Sequence, residues 1–245
     1  MKKIAPKLVL LGAGLAVLAA VSLAQTDSKA SGHWEGKIQM PNRELGITVD
    51  LAKNPKGAWI GSMSVVGSSA IDVPLDSVTV EDMSVRFTAS LPEHALFDGQ
   101  LSADASSLSG TASNAAGEAP FQLARNGDAN VKVPPPSSAL SKEFEGAWEG
   151  THEVDGKVRR VGLKLWPAAN GTATATLIAV EQGNLEIPVT TVTIKGKELQ
   201  LEARAVSGTY RGTLGAGGEI AGEWSEGPNH FPLTFKRVSS ETKKP

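Results

Sequence analysis

The chain has 245 residues, a formal net charge of −2, no cysteine and four histidines. Because cysteine is absent, no disulfide framework or thiolate metal site can form, and an apolar core must stabilise each folded unit. Acidic residues outnumber basic ones, 26 to 24, and the only basic cluster is the run Lys157-Val158-Arg159-Arg160. A nucleic-acid partner is not expected, since neutralising phosphates requires a concentrated basic face.

Residues 1–24 have the three parts of a secretory signal. Lysines at the start precede an apolar run from Leu8 to Val21, and the small residues Ser22 and Ala24 follow. We expect cleavage after Ala24, and an uncleaved N-terminal anchor is the alternative. The run is short for a membrane span of about 20 residues, and no cysteine follows it for lipid attachment. These features predict a periplasmic or secreted protein without a membrane span after cleavage.

The rest of the chain is predicted to be a tandem repeat. The segment Gly32-His33-Trp34-Glu35-Gly36 aligns with Gly146-Ala147-Trp148-Glu149-Gly150, and with two single-residue gaps the match continues to Pro120–Arg125 over Pro232–Arg237. A repeat of this length indicates two copies of one structural unit. The alignment predicts repeats at 31–126 and 144–238, separated by a proline-rich linker at 127–143 and followed by a polar tail at 239–245.

Apolar residues alternate with polar ones within each repeat, for example from Leu45 to Leu51 and from Val161 to Leu165. This period of two is typical of strands with one buried face, and turn-forming residues divide each repeat into about eight short strands. The predicted fold class is all-β, with two tandem antiparallel up-and-down barrels. A pair of β-sandwiches is the alternative, because the pattern does not show whether a sheet closes.

Each repeat begins with Gly-x-Trp and ends with Arg, pairing Trp34 with Arg125 and Trp148 with Arg237. This pattern resembles the calycins, which include the lipocalins and fatty-acid-binding proteins. The resemblance implies lipocalin-like barrels in which the two side chains pack together at the closed end, a structural role. A guanidinium over an indole gains a cation–π attraction of about 0.5 to 2 kcal/mol.

A nearer resemblance is to the β-domain that precedes secreted bacterial α/β-hydrolases. The second repeat carries it at Gln182-Gly183, Ile187-Pro188, Gly212-Thr213-Leu214, Gly222-Glu223-Trp224 and Pro232–Arg237. The first repeat departs from the pattern at Ser68-Ser69 and at Thr111-Ala112, and the hydrolase itself is not present. The resemblance therefore implies a fold more than an activity.

Catalysis is not expected. No Gly-x-Ser-x-Gly pentapeptide occurs, and His33, His94, His152 and His230 have no metal-ligand spacing, so we predict no catalytic residue, no metal and no cofactor. His33 and His152 are interpreted as ordinary surface or strand-end residues. Glu35 and Glu149 recur beside the tryptophans, but the neighbour of an inward residue on a strand points outward.

A barrel of eight strands is just wide enough to be filled by side chains or to hold one small ligand. The second repeat has Ala173, Ala175, Leu177 and Ala179 at alternate positions, whereas the first has Trp59, Met63 and Val65. If these side chains, three of them alanine, face inward, the second barrel has the larger void. The function predicted first is a non-catalytic exported binding protein for a small apolar ligand or an envelope protein. The alternatives are a structural or protein-interaction accessory module and, third, a hydrolase with an unrecognised site.

Overall fold

The computed structural model describes residues 29–154 and 156–238. The predicted signal at 1–24 and the tail at 239–245 lie outside the described residues. The rest is built from antiparallel strands, which confirms the predicted all-β class. No helix among these residues is long and apolar enough to cross a bilayer.

The first repeat forms a closed barrel of eight strands. Each strand pairs with the next along the chain, and the last pairs with the first, so the sheet has no open edge. The strands are β1 (Gly32–Met40), β2 (Arg43–Lys53), β3 (Trp59–Val65), β4 (Val73–Glu81), β5 (Ser84–Ala89), β6 (Ala95–Leu101), β7 (Ser107–Asn114) and β8 (Gly117–Arg125).

The second repeat forms a curled sheet of nine strands, one more than the sequence predicts. The strands are β9 (Gly146–Val154), β10 (Lys157–Pro167), β11 (Ala173–Ala179), β12 (Leu185–Pro188), β13 (Thr191–Lys195), β14 (Glu198–Ala203), β15 (Gly208–Leu214), β16 (Glu219–Glu226) and β17 (Asn229–Arg237). Two single-turn 3-10 helices, η1 (Val180–Gln182) and η2 (Arg204–Val206), follow β11 and β14.

The additional strand arises because the counterpart of β4 is interrupted. The repeat alignment places Pro74 and Val78, both in β4, over Pro188 and Val192. In the second repeat β12 ends at Pro188 and pairs with β11, whereas β13 begins at Thr191 and pairs with β14. Strands β12 and β13 are therefore the two ends of the curled sheet, which does not close by its own ladder.

The predicted linker occupies this opening in the second sheet. The amide of Ser138 donates to the carbonyl of Val192 at 2.8 Å, and its carbonyl accepts from the amide of Ala173 at 2.7 Å. Ala139 forms an isolated bridge with Thr172. The linker thus satisfies backbone groups that the interrupted strand leaves unpaired, which a free spacer would not do.

The core of each repeat lies inside its sheet, where alternate side chains converge. The largest fully buried side chains are aromatic and aliphatic, and they include Trp34, Trp148, Tyr210, Phe87, Phe97, Phe144 and Phe235. Phe87 stacks on Phe97 with ring centroids 4.5 Å apart, and Tyr210 meets Phe235 edge to face at 5.1 Å. Such aromatic pairs add about 0.5–1.5 kcal/mol beyond their buried area.

Facing glycines bring neighbouring strands together in both repeats. Gly99 pairs with Gly110, and Gly212 pairs with Gly222. A Cβ on Gly110 or Gly222 would collide with the backbone of the opposite strand. Glycine at these positions is therefore a packing requirement, and it explains part of the Gly-x-Leu and Gly-x-Trp pattern seen in the sequence.

Candidate functional site

The predicted ligand-lining residues all lie on β11, but they divide into two groups. Ala173, Ala175 and Leu177 are buried, and Ala179 is half-buried. Leu177 and Ala179 line a cavity at one end, the mouth, of the curled and unclosed sheet of the second repeat, which we call the second barrel. Ala173 and Ala175 are not part of its wall and belong to the packed core further along the strand.

The mouth cavity has a volume of about 570 Å³. Its interior is predominantly apolar, and its wall is formed by strands at both ends of the chain segment that makes up the second repeat. The apolar wall consists of Val154, Val161, Leu177, Ala179, Leu185, Ile187, Val206, Trp224, Phe231 and Leu233. The cavity lies toward the end of β9 and the start of β10, whereas Trp148 lies near the start of β9.

Polar and charged side chains surround the opening of this cavity. Arg160 forms an ion pair with Glu181 at 2.9 Å, and its backbone amide donates to the same carboxylate at 2.8 Å. These hydrogen bonds lower the pKa of Glu181. Arg159, which pairs with His152 in the β9/β10 ladder, also lines the cavity. An apolar wall with a few polar groups at its rim is the usual form of a small-molecule site.

His152 is the polar residue that the sequence interpretation missed. It lines the cavity, and its Nδ1 atom is buried without a hydrogen-bond partner among the described residues. Its ring packs against Phe231 with centroids 5.3 Å apart, and burial lowers its pKa, which favours the neutral imidazole. The signal was present in the sequence, because His152 lies an even number of residues from the inward Trp148 on β9.

The other histidine clusters lie away from the cavities. Nδ1 of His230 contacts both Ser225 Oγ at 3.1 Å and Glu223 Oε1 at 2.8 Å on the outer face. A nucleophile and an orienting acid must contact opposite ring nitrogens, so this trio is not arranged as a catalytic triad.

The ring of His33 is held between Asp50 and Glu35, each at 3.0 Å. No serine or threonine hydroxyl contacts this ring in the structure as described, so the cluster has a base but no nucleophile. The described residues contain no group of three or more His, Cys, Asp or Glu side chains that could hold a metal ion.

The tryptophan and arginine residues of each repeat are in contact. The guanidinium carbon of Arg125 lies 4.4 Å from the ring centroid of Trp34, and that of Arg237 lies 4.2 Å from the ring of Trp148. Each guanidinium also donates to backbone carbonyls of the segment before the first strand of its repeat, Lys29 and Ser31 in the first and Glu143 and Glu145 in the second.

Each indole of these pairs donates a hydrogen bond to the same backbone segment that its arginine holds. Trp34 donates to the carbonyl of Ala30 at 3.1 Å, and Trp148 donates to Phe144 at 3.0 Å. The pairs therefore tie the entering chain to the end of the last strand, and neither lines the mouth cavity of the second barrel.

No protein-family model and no curated protein matches the chain. Among solved structures, the chain is similar to a protein of unknown function from the DUF3598 family of Nostoc punctiforme, with 13% identity and a TM-score of 0.24 over 86% of this chain and 97% of that chain. It is also similar to a candidate outer membrane protein from Bacteroides fragilis, with 10% identity and a TM-score of 0.28 over 87% of this chain and 99% of that one. At these values the likeness to either structure carries no argument about function. The functional proposal rests instead on the geometry of the cavity.

Proposed function

We propose that this chain is an exported, non-catalytic binding protein that holds a small apolar molecule in the second barrel. The observation that carries the proposal is the mouth cavity of about 570 Å³ with its apolar wall and polar rim. Small-molecule sites have volumes of roughly 300–1,000 Å³ and are lined mainly by apolar side chains with a few polar groups that orient the ligand.

The polar groups of the cavity suggest how the ligand is oriented. His152 offers an unpartnered ring nitrogen inside the cavity, and Arg159 offers a cation at its rim. A buried polar atom without a partner is unfavourable by about 1–3 kcal/mol, and a ligand that supplies the hydrogen bond removes that cost. The preferred ligand is an apolar body with one polar group, which lies beside His152 and Arg159.

The non-catalytic part of the proposal rests on the surroundings of His152. In the part of the chain that the structure describes, no hydroxyl or carboxylate forms a hydrogen bond with its ring. A general base acts only on a proton within hydrogen-bond reach, and an orienting partner normally holds its ring. The site therefore has a ring nitrogen for a hydrogen bond to a ligand group and lacks the paired residues that hydrolysis uses.

The lipocalin-like character of both repeats is part of the same proposal. It is supported by the contact of each Gly-x-Trp tryptophan with the arginine at the end of its repeat. In the second repeat this contact lies near the start of β9 and the cavity near its end, which is the arrangement expected of a barrel that is plugged at one end and open at the other.

Native mass spectrometry of the protein purified from its own envelope is the first test. A discrete added mass that organic extraction removes would support a ligand carrier. A bare mass, together with failure to bind an apolar probe, would favour the alternative of a structural or protein-interaction module.

A brominated alkanol tests the location of the site, because bromine quenches tryptophan fluorescence on contact and Trp224 lines the cavity. We expect Ala179→Phe, which places a phenyl ring in the cavity, to weaken the affinity for the alkanol, measured by quenching, by at least about tenfold, or ~1.4 kcal/mol. The matched control is Ala147→Phe, since Ala147 is an exposed alanine on β9. Equal quenching of the parent and the Ala179→Phe variant would overturn the proposed site.

A further inference from the structure

The first barrel also has a cavity at its mouth, although its larger side chains predicted a smaller void than in the second. The cavity has a volume of about 530 Å³, close to that of the second barrel. Its interior is mainly aliphatic, with Ile38, Leu45, Ile47, Met63, Val65 and Leu91 in the wall. Methionine is flexible and adapts to irregular apolar ligands.

Part of the wall of this cavity comes from the second repeat. Ala205 of η2 and Leu185 at the start of β12 line it, and Ala205 packs in the core cluster of the first barrel. The next residue, Val206, lines the cavity of the second barrel, and Leu185 lines both cavities. Helix η2 and Leu185 are therefore a shared wall between the two mouths.

A defined set of hydrogen bonds holds η2 against the first repeat. The guanidinium of Arg204 donates to the carbonyls of Asp72 at 3.1 Å and Lys132 at 3.0 Å, and it forms an ion pair with Glu202 at 3.0 Å. The hydroxyl of Ser207 donates to the carbonyl of Ser69 at 2.6 Å. The two contact segments include Asp72 and Ser207, which have φ of 53° and 48°, in the left-handed region that non-glycine residues rarely adopt.

We infer that the mouth of the first barrel is a second ligand site, for an aliphatic molecule with an uncharged polar end, and that η2 of the second repeat forms its roof. The rim carries Arg43 together with Glu93 and Glu118. An anionic end group would face two carboxylates, whereas an uncharged one forms hydrogen bonds without that repulsion. The inference goes beyond the proposed function and does not require the second barrel to be occupied.

Equilibrium dialysis with decanol and with decanoate, which have equal chain lengths, tests the site in the Ala179→Phe background, where the second cavity is blocked. We expect the full chain of this variant to bind one equivalent of decanol and to bind decanoate at least about tenfold more weakly. Ala112→Phe adds a large side chain to the wall from within the first repeat and should abolish decanol binding. Ala124→Phe, at an exposed alanine on β8, is the matched control and should leave it unchanged.

Arg204→Ala tests the roof without filling the cavity. Loss of its contacts with Asp72 and Lys132 should weaken decanol binding at the first site by about tenfold. Decanol binding that survives Ala112→Phe would show that the first barrel holds no site. Unchanged affinity in Arg204→Ala would show that η2 is not its roof. A separate result would refute the site in the second barrel: equal quenching of Trp224 by the brominated alkanol in the parent and in Ala179→Phe.

Discussion

Replacing Trp148 by alanine is the sharpest test of how the second repeat is held together. Trp148 is 1% exposed, its indole donates to Phe144 at 3.0 Å, and Arg237 covers its ring at 4.2 Å. Removing a buried tryptophan side chain is unfavourable by about 3–5 kcal/mol through lost transfer energy and the cavity it leaves. Because Arg237 is exposed, its cation–π contact contributes only about 0.5–1 kcal/mol of this cost.

Chemical denaturation followed by far-ultraviolet circular dichroism measures the effect. The control is Trp166→Ala, because Trp166 is 39% exposed on β10, and we expect its free energy of unfolding to fall by clearly less than that of Trp148→Ala. An unchanged unfolding midpoint in Trp148→Ala, or equal losses in the two variants, would refute the structural role of the Trp148 and Arg237 pair.

Three further changes test other parts of the structure. Gly222→Ala should destabilise the second sheet by about 1–3 kcal/mol, because its Cβ would collide with the backbone of β15, whereas Gly217→Ala in an open turn should leave the thermal midpoint nearly unchanged. Tyr210→Phe should lower the free energy of unfolding in urea by about 1–1.5 kcal/mol, since the buried hydroxyl lies 2.9 and 3.1 Å from two carbonyl oxygens. Partial burial lowers the pKa of His33, but the hydrogen bonds to Asp50 and Glu35 outweigh this effect and raise the pKa above its usual value of 6.5. The stabilisation by His33 should be complete below pH 6.5 and lost as the pH rises through the raised pKa, and His33→Gln should remove this part of the pH profile of urea unfolding.

The strands and much of the core were predictable because alternation is a local property of the chain. Trp34 and Trp148 are inward-facing residues at equivalent places in the two repeats. Every second residue along the same strand therefore also faces inward. The role of His152 was missed because the equivalent position in the first repeat is Ile38, so the histidine does not recur. Its even spacing from Trp148 was sufficient to place it inside.

The cavity residues were only partly predictable. Small side chains at Ala173 and Ala175 suggested a void, but neighbouring side chains fill the space beside them, and the opening lies further along β11 at Leu177 and Ala179. The size of a void depends on every wall of the barrel, and the sequence of one strand describes only one of them.

The tandem repeat, the antiparallel all-β class and the positions of the two Trp and Arg pairs were predictable, because each depends on periodicity or on a match between two segments. The departures from two independent barrels are visible only in the three-dimensional structure. The interruption between β12 and β13 leaves backbone groups that Ser138 satisfies, and η2 brings Ala205 into the mouth of the first barrel. Both arrangements join residues that are distant in the chain, and they form because backbone groups and apolar surface left open by one repeat find partners in another segment.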